Sequence, residues 1–327
     1  MTVASPPRGP VGWMERRQIA LYLAAIALGA GIGLVLPGSE HLEVAITPVL
    51  GLLLFATFLA VPFASLGRAL RDVRFLGAVL VLNFLIVPIV AFGLSRFVSG
   101  DPGLVFGVLL VLLTPCIDYV IVFTGLAGGA ATRLLAATPL LMIAQMLLLP
   151  VYLVTFIGAE GVAMMDVEPF VVAFVSLIVL PLAAAAAVQA LARRYRAARA
   201  VESTMGALMV PLMMATLAVV VASQIAAVSN ALGSLLVTVP IFIAFAIVMV
   251  PLGDVTGRLF GVDTPARRAV VFSGATRNSL VVLPLALAAP DTFAIAPTVV
   301  VTQTLVELVA MVVFVRVIPA LIRSSPE

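Results

Sequence analysis

The chain has no lysine, one cysteine (Cys116), one histidine (His41), one tryptophan and few charges, only 10% of 327 residues. One cysteine excludes an internal disulfide. With one histidine beside it, the chain lacks the Cys/His sets that build tetrahedral metal sites and the histidine dyads that activate nucleophiles. No metal, no cofactor and no enzymatic activity are therefore expected. The shortage of charge excludes a water-soluble domain, since an average one is about 25% charged and about 45–50% apolar, whereas this chain is 63% apolar.

What is present is a succession of apolar runs. At about 20 residues per crossing, they divide into ten spans: 17–36, 43–66, 74–97, 103–128, 133–157, 168–191, 204–228, 232–252, 266–289 and 293–320. The expectation is an all-α polytopic protein embedded in a lipid bilayer, with no extramembrane domain. Met1 to Gln18 is polar, and the run from Ile19 to Leu36 has span length, so a first transmembrane helix is expected there rather than a cleavable signal.

All the basic residues are arginine, and their positions alternate from loop to loop. Arg8, Arg16 and Arg17 precede span one; Arg68, Arg71 and Arg74 follow span two; Arg133 follows span four. Arg193, Arg194, Arg196 and Arg199 follow span six, Arg258, Arg267 and Arg268 follow span eight, and Arg316 and Arg323 end span ten. The intervening loops carry Glu40, Glu43, Asp101, Glu160, Asp166, Glu168 and Asp291, with Arg96 as their one basic residue. The positive-inside rule then predicts a cell-membrane protein with both termini cytoplasmic. Topology accounts for the arginine clusters, so no nucleic-acid partner is expected.

The long connection Gly158 to Glu168 divides the ten spans into two repeats, 1–157 and 158–327. Five is odd, so the second repeat enters the membrane from the opposite side, the inverted arrangement of many secondary transporters. Spans four and nine, the fourth of each repeat, share an interruption at mid-membrane: Thr114-Pro115-Cys116-Ile117-Asp118 in one, Ser273-Gly274-Ala275-Thr276-Arg277-Asn278-Ser279 in the other. Proline removes a backbone donor and clashes with the preceding turn, and the groups it frees must be buried in protein or line a cavity.

Three ionisable residues remain inside spans: Asp118, Arg277 and Glu307. A charge at the bilayer centre costs at least about 2.5–3.5 kcal/mol, so these side chains are expected to face the interior. Asp118 and Arg277 are placed to pair if the two breaks meet; such a pair is either part of a solute path or a static brace. Glu307, beside Thr302, Gln303 and Thr304, is either a proton carrier or a permanently hydrogen-bonded acid. Cys116 is either a filler beside Pro115 or a soft ligand for a thiophilic solute. Asn83, Gln145 and Gln224 read as helix-to-helix hydrogen bonds, and Gly29, Gly31 and Gly33 as close-packing positions.

The segment Thr114-Pro115-Cys116-Ile117-Asp118-Tyr119-Val120, followed by Gly125-Leu126-Ala127-Gly128-Gly129, resembles span four of the arsenite permeases in the bile acid:sodium symporter superfamily. Phe272 to Ser279 resembles the broken span nine of that superfamily, and Leu305-Val306-Glu307-Leu308 its span ten. The resemblance implies crossed, broken helices four and nine. It also implies a panel domain of spans one, two, six and seven, against which a core domain moves, and a cysteine that contacts arsenite. Two departures stand out. Leu280 replaces a glutamate of the arsenite permeases, and Ser273 and Arg277 occupy the positions of a Glu and a Gln that help bind sodium in sodium-coupled members.

The leading expectation is a secondary transporter of the arsenical-resistance kind. It would move a small solute such as arsenite, coupled to protons rather than sodium, with Cys116, Thr114, Ser273, Arg277 and Asn278 binding the solute and Asp118 and Glu307 coupling protons. The alternatives are a symporter of organic anions, using Arg277, and a non-transporting membrane receptor.

Overall fold

A computed structural model describes residues 9–36, 38–60, 71–117, 119–158, 172, 175, 179–230 and 232–323. Among them it is helical, in two compact units. The first unit holds the described residues within 1–60 and 174–230, the second those within 61–173 and 231–327.

The first unit contains α1 (Pro10–Val35), α2 (Glu43–Ala60), α7 (Leu180–Ala192) and α8 (Arg196–Asn230). α1 lies against α8 through two glycines. A Cβ on Gly29 would stand 2.5 Å from the Ala218 carbonyl oxygen, and one on Gly33 would stand 2.4 Å from that of Ala222. Small residues let helices approach where water supplies no hydrophobic drive. Gly31 departs from that expectation: it faces open space, with nothing within 4 Å of a built Cβ.

The second unit contains α3 (Val73–Val98), α4 (Pro102–Leu112), α5 (Tyr119–Leu126), α6 (Ala131–Ile157), α9 (Thr238–Leu259), α10 (Thr264–Ala275), α11 (Ser279–Leu287) and α12 (Ala296–Leu321). Short polar side chains start four of them. Asp72 accepts from the Phe75 N–H at 3.3 Å, and Asp101 from those of Gly103 and Leu104 at 2.8 and 3.1 Å. Asp263 accepts from the Ala266 N–H at 3.0 Å and Asn278 from the Val281 N–H at 3.3 Å. Each satisfies a donor that the first turn leaves unpaired. α3 passes through a π-helical turn, Leu82–Ile86, and Asn83 sits in it.

Five helices of the described chain are long and apolar enough to cross a membrane: Val73–Val98, Ala131–Ile157, Arg196–Ser223, Thr238–Leu259 and Ala296–Leu321. Their outer faces are apolar: Ile89, Leu147, Ile247 and Val309 are each more than half exposed, a surface that suits lipid and not water.

Arginine-bearing loops of the second unit gather at one end. Arg133 reaches Asp263 at 3.1 Å and Asp72 at 3.5 Å. Arg268 donates to the carbonyls of Ile322, Ala127 and Gly128. Asp254 holds Arg258 at 2.8 Å and also Arg267. The starts of α3, α6 and α10 and the ends of α5, α9 and α12 therefore share a face of this unit.

Candidate functional site

Two helix interruptions meet in the second unit. α4 stops at Leu112 because Pro115 has no N–H to return and disfavours helical geometry at Thr114. α10 stops at Ala275, with Thr276 extended (φ −108°, ψ 139°), and Asn278 opens α11. Between the ends, Pro115 and Arg277 face each other in an antiparallel bridge. The Cys116 N–H donates to the Thr276 carbonyl at 3.2 Å, and the Asn278 N–H donates to the Thr114 carbonyl at 2.8 Å. Backbone groups freed by the two interruptions thus satisfy one another.

Arg277 is fully buried. Its Nη2 donates to the carbonyls of Ser273 and Gly274, both at 2.7 Å, and to Asn83 Oδ1 at 2.9 Å. Nη1 donates to the Leu112 carbonyl at 3.2 Å, and the Phe245 ring lies 5.4 Å from the guanidinium carbon. The three carbonyls belong to the last turns of α4 and α10, whose oxygens lack helical partners and carry the negative end of the helix dipole. Asn83 also donates to Ser273 Oγ at 2.9 Å, joining α3 to α10 as a helix-to-helix bond. Nε of Arg277 has no hydrogen-bond partner among the described residues.

Glu307, on α12, is buried beside the same crossing. It accepts from the Arg277 backbone N–H at 2.7 Å, from the Tyr119 hydroxyl at 2.5 Å and from Gln303 Nε2. It also lines a small recess, with room for about one water molecule, together with Leu112, Phe242, Phe245, Val306 and Gln303. The Gln303 carbonyl oxygen is buried and has no hydrogen-bond partner among the described residues. A carboxylate held by three donors at a recess can accept or release a proton, while the fixed cation behind it holds two helix ends together.

The structure brings Arg277, Ser273, Asn278, Thr114, Cys116 and Glu307 into one neighbourhood, in varied postures. Thr114 turns its hydroxyl back to the Leu110 and Val111 carbonyls. Ser273 receives Asn83, and Asn278 caps α11 while its side-chain nitrogen is buried and unpaired. Cys116 is fully buried. None of these four is among the residues that line the recess. Asp118, expected opposite Arg277, lies outside the described residues, as does the side chain of Gln224. The guanidinium's described bonds go to Asn83 and backbone oxygens. Gln145 is buried, and its carbonyl oxygen has no hydrogen-bond partner among the described residues. Sequence reasoning did not single out Tyr119 or Phe245. Tyr119 stood next to Asp118 in the first motif, a polar handle at an interrupted helix; Phe245 gave no signal, being one apolar residue in an apolar run.

The paired breaks, the buried charges and the apolar exterior define a helical membrane transporter. The sodium bile acid symporter family model matches residues 47–231, more than half of the chain, and the protein belongs to that family. The match includes the first break and ends before the second. No curated protein matches the chain.

Proposed function

We propose that the protein is a proton-coupled secondary transporter of a small solute, with arsenite as the candidate cargo. The observation that carries the reading is Glu307: a carboxylate bound to the backbone of one break and to Tyr119 beside the other, facing a recess. Protonation there would alter the bonds that hold the crossing. Asp118 remains the second candidate for coupling, by its place in the first motif.

Several features support the finer parts of the reading. The recess has room for about one water molecule, which suits proton exchange at Glu307. Cys116 supplies one soft ligand, and a single thiol permits release. The guanidinium already holds four acceptors of the crossing, which weighs against a free organic anion taking its donors. It also weighs against sodium: an ion on those oxygens would stand within about 4 Å of the guanidinium, where like charges repel by about 4 kcal/mol at an effective dielectric near 20.

A ten-span fold of two inverted repeats, 1–157 and 158–327, is supported by the paired interruptions α4/α5 and α10/α11. The unit drawn from 1–60 and 174–230 supports a panel of spans one, two, six and seven. The arginine-bearing end of the second unit supports a cytoplasmic face carrying both termini at the cell membrane.

The test is flux into proteoliposomes under imposed proton or sodium gradients, with arsenite and a set of organic acids. The reading expects arsenite movement that follows the proton gradient, ignores sodium and weakens in Cys116→Ser. Flux of organic acids without arsenite would replace the cargo, and unchanged proton dependence in both Glu307→Gln and Asp118→Asn would remove the coupling role.

A further inference from the structure

The two helix ends at the crossing carry more negative character than the neutral atoms around them suggest. Each helix contributes roughly half an elementary negative charge at its C-terminus, so α4 and α10 together present about one. The oxygens of Leu112, Ser273, Gly274 and Asn83 converge there on the buried guanidinium, and among the described residues no carboxylate lies within ion-pair distance of the Arg277 side chain. Four convergent oxygens form a cage for a monovalent cation, and the chain fills it with its own guanidinium. The fit is incomplete, because Nε has no hydrogen-bond partner among the described residues; three carbonyls and one amide oxygen serve a small cation as well as they serve a planar one.

We infer that Arg277 is a tethered cation that does the structural work of a bound monovalent ion, and that removing its side chain makes the protein dependent on such an ion. The inference deepens the transport reading by explaining why coupling needs no sodium. Because its readout uses no solute, it stands or falls separately from arsenite and from protons.

The experiment uses the purified full chain in detergent and follows thermal unfolding in sodium chloride, choline chloride at equal ionic strength, or guanidinium chloride too dilute to denature. Wild type is expected to melt at the same temperature in all three. Arg277→Ala is expected to melt lower, and to gain about 2–4 °C from sodium or guanidinium at about 200 mM but not from choline. Arg277→Lys, which keeps a cation, is expected to melt above Arg277→Ala and show no sodium response. Equal behaviour of Arg277→Ala in sodium and choline overturns the inference. If that variant does not fold, wild type and Arg277→Lys decide: sodium-specific stabilisation of either one, or Arg277→Lys failing to fold in every salt, overturns it.

Discussion

Replacing Glu307 tests the hydrogen-bond arithmetic of the crossing. Three donors converge on its two oxygens: the Arg277 N–H, the Tyr119 hydroxyl and the Gln303 amide. In Glu307→Ala the hydroxyl can turn to the Arg277 carbonyl, already 3.4 Å away, but the other two donors lose their acceptor. Buried donors left unpaired cost about 1–3 kcal/mol each; hydrogen bonds between membrane helices run lower, near 0.6 on average and 1.7 at most. With water able to enter the recess, the expected loss is about 3 kcal/mol. Glu307→Gln keeps one acceptor oxygen but sets an amide nitrogen against a donor, for about half that loss. In detergent, where each kcal/mol moves the midpoint of a chain this long by about 1.5 °C, the alanine variant should melt about 4–5 °C lower and the glutamine variant about 2 °C lower. A glutamine variant as stable as wild type, or an alanine variant within about 1 kcal/mol of it, would refute this account of how the crossing is held.

Asn83→Leu removes an acceptor from Arg277 Nη2 and a donor from Ser273 Oγ; a loss of about 2–4 kcal/mol is expected in thermal or SDS unfolding, larger than for most single changes. Gly33→Ala should destabilise by about 1–3 kcal/mol, because its Cβ would meet the Ala222 backbone, whereas Gly31→Ala should be neutral or slightly stabilising by the same assay. Arg133→Ala breaks ion pairs whose members are 39–55% exposed, so its effect on unfolding should stay below about 1 kcal/mol.

Much of this architecture was legible because membrane chains write it in a coarse alphabet. Span-length apolar runs located the helices of both units, and Pro115 marked the end of α4 since a residue without an N–H cannot continue the ladder. The break after Ala275 was legible as small and polar residues at mid-span, although no proline forces it. The identity of partners was not legible. Nothing local to Arg277 says that its guanidinium binds carbonyls 165 residues away at Leu112, because the attraction of helix ends for cations depends on where tertiary packing places those ends. Tyr119 was hidden for the same reason: its donor gains meaning only once α5 packs against Glu307 on α12, whereas Gln303, four residues before Glu307 on the same helix, was legible as its neighbour. Gly31 looked like its neighbours Gly29 and Gly33, and only the rotation of α1 against α8 separates them.

The bridge between Pro115 and Arg277 also constrains the order in which the protein can be built. The carbonyls and N–H groups at 114–116 find their partners at 276–278, in a stretch synthesised roughly half a chain length later. Until then the early segment has no backbone partner for its interruption, and a nascent chain ending before Thr276 must keep it wet or shielded. The two interruptions therefore mature together, late in biogenesis, and fragments ending between α5 and α10 should be substrates for membrane quality control.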